Sequence, residues 1–200
     1  DAVVHIEPSA FAPTEAASES SAASLRPKSQ TCFIDATCVT PADFPNIDAA
    51  SHAVAQLTFV DGGSAFVCSG GLLNATPSTL VPYLLTAQHC FDNQAAATSL
   101  EAVWNYKTAT CGGPFPSPSL FPRTLGSTLL ATGLARDFTF MQLSQDPPDG
   151  SLFLGWSTAD DPPAGGTILY RLPPTAGSPQ LSAPNNRRPT PTQPPSGTGH

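Results

Sequence analysis

A chain of 200 residues with 40% hydrophobic side chains is long enough for one large domain or two small ones with a real core. Only 12% of the residues are charged and the net charge is −7, which excludes a basic nucleic-acid-binding face as the main partner surface. No apolar run approaches the roughly 18 residues of a membrane span, and no basic stretch followed by an apolar core marks a signal peptide.

The chain opens on Asp1, so it reads as one from which processing or fragmentation has removed what came before. Residues 1–31 are rich in alanine and serine and poor in large apolar groups. They are expected to form a disordered linker or the remnant of a propeptide. Cys32-Phe-Ile-Asp-Ala-Thr-Cys38 begins the ordered part, which is expected to run over 32–172. Two cysteines so close along one strand do not bridge each other easily, so both are expected to reach elsewhere.

Residues 44–48 read as a loop, and 52–60 as a strand whose imperfect alternation suits burial on both faces. Asp61-Gly62-Gly63 is a hairpin signal, and strands are expected at 64–74 and 81–87. Asn74-Ala75-Thr76 has the form of a glycosylation triplet, but Pro77 follows it and such triplets are common by chance. Further strands are expected at 99–106, 124–133, 137–143, 151–156 and 166–172, with proline-rich or glycine-rich loops between them. No helical periodicity of any length appears. Regularly spaced short strands with turn signals predict an all-β barrel or sandwich. Residues 173–200 are dominated by proline and polar side chains, and are expected to be a disordered tail.

The five cysteines include no C-x-x-C pair, and the four histidines (His5, His52, His89, His200) are scattered, so neither a metal centre nor a cofactor site is expected. Separated cysteines in a β-rich chain of low charge point to disulfides in an oxidising compartment, with one cysteine left over. Two apolar runs each carry a cysteine, Val67-Cys68-Ser69-Gly70-Gly71 and Leu84-Leu85-Thr86-Ala87-Gln88-His89-Cys90. A bridge between them would hold His89 still at the mouth of a hairpin.

A held imidazole suits acyl transfer, which needs a hydroxyl nucleophile, an imidazole base, a carboxylate that orients the base, and N–H donors for the oxyanion. His89 is the candidate base, because only histidine titrates near neutral pH unperturbed. Its bland alternative is a histidine at a strand end without a role. Asp137, in Asp-Phe-Thr-Phe-Met-Gln-Leu143, is the candidate carboxylate. Its bland alternative is a strand-start aspartate bonded to a turn. Asp92 lies too near His89 in sequence to reach behind the ring.

Four segments in order, Cys32–Cys38, Thr86-Ala-Gln-His-Cys90, Val103-Trp-Asn-Tyr-Lys-Thr-Ala-Thr-Cys111 and Asp137–Leu143, resemble the chymotrypsin-like serine proteases, and within them the bacterial lysyl-endopeptidase-like branch. Phe153-Leu-Gly-Trp156 extends the resemblance, which covers about 32–172. It implies a chymotrypsin-like double β-barrel, with the first barrel and only the start of the second. It implies a secreted, extracellular bacterial endopeptidase that cleaves protein or peptide substrates through a Ser-His-Asp acyl-enzyme mechanism. It further implies a monomer, and neither cofactor, metal, nucleic acid nor membrane is expected to take part. The resemblance pairs Cys68 with Cys90 and Cys38 with Cys111, and leaves Cys32 unpaired.

The nucleophile is where the match fails. The family's serine stands in Gly-x-Ser-Gly-Gly or Gly-x-Ser-Gly-Ser-Pro, and no serine here has that setting. Gly177-Ser178-Pro179 follows Asp137 too closely and fits an earlier strand-and-loop region of the family better. Ser196-Gly197 lacks the preceding glycine. The nucleophile is therefore unknown, and the chain reads as truncated before it and inactive as it stands. The competing reading is a non-catalytic, protease-like secreted binding module. A disulfide-bonded β-domain of unrelated descent would need four ordered matches to be coincidence.

Overall fold

The computed structural model describes residues 34–75, 80–156, 168–172 and 178–187. Among these residues ten strands run in chain order: β1 (Ile34–Asp35), β2 (Val54–Asp61), β3 (Ser64–Leu73), β4 (Tyr83–Thr86), β5 (Glu101–Trp104), β6 (Arg123–Leu125), β7 (Ser127–Gly133), β8 (Phe138–Leu143), β9 (Ile168–Arg171) and β10 (Leu181–Arg187). Two short helices interrupt them, α1 (Ile47–Ser51) and α2 (Gln94–Thr98).

Seven strands form one antiparallel sheet in the order β6-β5-β2-β3-β4-β8-β7. Its two outer strands are consecutive in the chain, separated only by Gly126. The sheet therefore curls until one segment serves both of its ends, which is how an all-β barrel closes. Gly126 makes the seam. Its N–H donates to the Leu100 carbonyl at 2.7 Å on one side, and its carbonyl accepts from Ser144 N at 3.0 Å on the other. Its φ of +74° turns the chain between the two pairings, a conformation costly for residues with a Cβ. The single strand expected over 124–133 is thus two strands.

The barrel interior is filled by Leu57, Phe59, Leu72, Leu84, Leu100, Trp104 and Met141, all nearly inaccessible to water. Each buried large aliphatic side chain contributes about 1.5–3 kcal/mol. Residues Ala55, Leu57 and Phe59 of β2 alternate into this core. Val54 and Gln56, on the other face of β2, are also buried.

What covers that second face is a segment expected to be disordered. Within the expected tail, residues 178–187 are ordered, and β10 pairs antiparallel with both β1 and β9. Gln180 is 1% exposed. Its Nε2 donates to the carbonyls of Ser51 and Val54 at 3.0 and 3.1 Å, its N–H to the Tyr106 carbonyl, and its carbonyl accepts from Ala36 N. Gln56 Nε2 in turn donates to the Ser178 carbonyl at 3.3 Å. Composition does not reveal this because the segment buries few apolar side chains, Pro179 and Leu181 among them, and is held largely by hydrogen bonds to the barrel. The 1–31 segment and the rest of 173–200 lie outside the described residues.

Other boundaries shift for local reasons. Of the loop expected over 44–48, residues 44–46 form a turn and 47–48 open α1, whose Ile47 and Ala50 pack with Ala36, Phe44 and Leu172 in a second small cluster. Asn93 caps α2, its Oδ1 accepting from Ala96 N at 2.9 Å. Both helices are too short to show a 3.6-residue period. The strand expected over 151–156 is a single bridge, Leu73 to Leu154.

Replacing the Gln180 amide tests the docking of this segment. Gln180→Ala removes two buried hydrogen bonds and is expected to lower unfolding free energy by about 1–3 kcal/mol, read as a lower urea midpoint. An unchanged midpoint would mean that the segment does not hold the barrel's outer face.

Candidate active site

The sheet itself brings the candidate residues together. Strands β4 and β8 pair antiparallel with Thr86 opposite Thr139. The end of β4 therefore lies beside the start of β8, and His89 and Asp137, just beyond those positions, meet at the same rim. Four contacts fix the histidine loop. Thr86 Oγ1 donates to the Ser69 carbonyl at 2.7 Å. Cys90 is bonded to Cys68 on β3 across 22 residues, a loop closure worth about 3 kcal/mol. The Phe91 ring packs 4.6 Å from that of Phe59, and the Phe91 carbonyl accepts from Thr139 Oγ1 at 2.7 Å.

Asp137 grips the loop at two points. Its Oδ2 lies 2.6 Å from His89 Nδ1, and its Oδ1 accepts the His89 backbone N–H at 3.0 Å. A carboxylate only accepts, so Nδ1 carries the proton and Nε2 of the neutral ring is left as the basic nitrogen. Nε2 lies 3.8 Å from Cys90 Sγ, a disulfide sulfur with no proton to give. The His89 backbone N–H is the main cause holding the Asp137 carboxyl below the ordinary aspartate value; burial opposes it, and the His89 ring and the Gln88 backbone each add a lesser lowering effect.

The pair is open to water, with 31% of the His89 side chain and 48% of the Asp137 side chain exposed. Solvent screens its Coulomb attraction, so its value is orientation rather than stability. Asp137 sits at φ +49°, in the left-handed region that aspartate tolerates better than most side chains. It follows a 3-10 turn at Leu134–Arg136 that joins β7 to β8. Gly133 pairs with Phe138 across this hairpin, and a Cβ at Gly133 would stand 2.5 Å from the Phe138 ring. The glycine thus makes the slot in which the residue next to Asp137 rests.

The second bridge joins Cys38 to Cys111. Beside it, Asp35 accepts from Thr37 N and Oγ1, from Thr108 Oγ1 and from Gly112 N, tying the start of the described chain to the loop after β5. Nothing among the residues themselves singles out Asp35 beyond its place in the Cys32–Cys38 motif. Cys32 lies outside the described residues, as does Ser196. Ser178 is buried, its hydroxyl 3.2 Å from the Pro179 carbonyl, and it does not bond the His89 ring. Asp92 accepts from Gln88 Nε2 at 2.8 Å and not from His89. Among the described residues, no serine hydroxyl is hydrogen-bonded to that ring, and no group of His, Cys, Asp and Glu could hold a metal.

A curled all-β barrel with histidine and aspartate paired at one rim belongs to the chymotrypsin-like class. Residues 27–171 match the family model described as the lysyl endopeptidase C-terminal domain, and the chain belongs to that serine protease family. It is 34% identical over 149 residues to the lysyl endopeptidase of Pseudomonas aeruginosa, an alignment covering 72% of this chain and 32% of that protein. The chain thus spans about a third of the length of that relative.

Two outcomes test the site. Because the Asp137 carboxyl is held below its ordinary value, the folded chain releases this proton more readily than the unfolded chain. Its contribution to stability is then present above the unfolded value and lost as pH falls through the folded one. A 13C titration of the side-chain carboxyl is expected to give a midpoint below that of an aspartate in a short peptide, and a His89→Ala chain, which keeps the backbone N–H, is expected to retain part of the shift. Gly133→Ala forces the Phe138 ring aside and is expected to cost roughly 1–3 kcal/mol in urea unfolding, an overpacking loss; a neutral substitution would show that the hairpin has room to spare.

Proposed function

We propose that this chain carries the base and the orienting acid of a secreted serine endopeptidase, with His89 as the proton acceptor and Asp137 as the group that fixes its tautomer. The supporting observation is the two-point hold of Asp137 on His89, ring and backbone together. In peptide-bond hydrolysis, Nε2 takes the proton of an attacking serine hydroxyl and returns it to the leaving amine, while Asp137 steadies the imidazolium. The name of the Pseudomonas relative supports protein or peptide chains as substrates. Two disulfides, and a relative of this kind, support an oxidising, extracellular setting.

The nucleophile is not assigned. No serine in the sequence stands in a Gly-x-Ser-Gly run, and none in the described structure meets the His89 ring. The chain on its own is therefore proposed to be without turnover, which also keeps the non-catalytic binding reading in play. Purified chain is expected to hydrolyse peptide esters no faster than buffer, with His89→Ala the same. Hydrolysis abolished by that substitution would reveal a serine in this chain and overturn the inactive reading. Translating the encoding DNA beyond Leu172 in three frames is the companion test, since a Gly-x-Ser-Gly run and a further cysteine in another frame would supply both the nucleophile and a partner for Cys32.

A further inference from the structure

Two backbone segments carry the paired residues, and one buried hydroxyl joins them. Thr139 is inaccessible to water. It stands two residues after Asp137, and the carbonyl it reaches, that of Phe91, stands two residues after His89. The bond is 2.7 Å. A carbonyl oxygen only accepts, so the single proton of the Thr139 hydroxyl is committed to Phe91. The Thr139 oxygen is left to accept, and Thr132 Oγ1 on β7 lies 3.1 Å away; the same Thr132 oxygen is 3.2 Å from the Phe138 carbonyl.

The other anchors of the histidine loop run elsewhere. Thr86 and Cys90 tie it to β3, and the Phe91 ring packs on β2. Among the described residues, and apart from the bonds of Asp137 itself, the Thr139 hydroxyl makes the one side-chain hydrogen bond between the loop bearing His89 and the strand that follows Asp137. The half-exposed bond between the ring and the carboxylate is weakened by water and does not set that spacing alone. A shift of about 1 Å between base and acid is enough to spoil a reacting geometry.

We propose that Thr139 is a positioning residue for the His89–Asp137 pair, its buried hydroxyl fixing the distance between the two segments through the Phe91 carbonyl. The proposal rests on the reading of that pair as base and orienting acid. It asks more of Thr139 than packing, because valine would fill nearly the same space and supply no donor.

The test uses the full chain and the low-field proton NMR resonance of a histidine Nδ1–H bonded to a carboxylate, assigned by its loss in Asp137→Asn. Near-UV circular dichroism and thiol counting confirm that each variant is folded with both bridges formed. Thr139→Val is expected to move the resonance upfield or broaden it away, and Thr139→Ser, which keeps the hydroxyl, to preserve it. If the valine does not fit the site and the variant fails to fold, Thr139→Ala removes the same donor with a smaller side chain and is expected to show the same loss. A folded Thr139→Val or Thr139→Ala chain with the unsubstituted resonance overturns the proposal alone. Absence of the resonance from the unsubstituted chain overturns the pairing beneath it as well.

Discussion

The site depends on one register. With Thr86 opposite Thr139, the exit of β4 and the entry of β8 share a rim, and residues far apart in sequence arrive within hydrogen-bonding distance. A slip of one residue would reverse the faces of β4 or β8 and carry Leu84 or Met141 out of the core. The apolar interior therefore fixes the polar pair. Burial of Leu84, Met141 and Leu143 resists any slip, and the alignment of His89 with Asp137 follows from it without a strong interaction of its own.

Around that register the polar anchors divide the task. The disulfide and the Thr86 hydroxyl fix the histidine loop to β3, whereas Asp137 holds the backbone and ring of His89 from the turn before β8. A carboxylate that takes the backbone N–H as well as the ring nitrogen resists rotation about its own side-chain bonds. Orientation of the imidazole thus comes from geometry on both sides, and this is why a half-exposed pair can still be well placed.

Much of this was legible in the residues. Turn signals and short alternating runs located the barrel strands, His89, Asp137, Cys68 and Cys90 stood out by their frames, and the pairing of Cys38 with Cys111 came only with the family resemblance. Two kinds of feature were not legible. One is the hydrogen-bonded docking of 178–187, where Gln180 and Ser178 contribute amide and backbone groups rather than hydrophobic area, so composition read the segment as tail. The first half of β2 is buried on both faces, as its pattern predicts, whereas Val60 near its end is exposed; what covers the second face is not visible from Val54 or Gln56. The other is the set of hydroxyls, Thr86, Thr132 and Thr139. Threonine is an ordinary strand residue, and only the three-dimensional pairing shows which of its hydroxyls crosses from one segment to another.

The seam at Gly126 has a consequence for how the barrel can fail. A sheet normally frays from its outermost strands, and those strands invite pairing with other chains. Here the outermost strands are two halves of one segment, so neither can peel away without pulling on its twin across the barrel. Opening one side loosens β6 from β5 and, through a single residue, strains β7 against β8, the strand that follows Asp137. Loss of barrel closure and loss of the site's alignment are therefore one cooperative event, and the rim keeps its geometry for as long as the barrel stays shut.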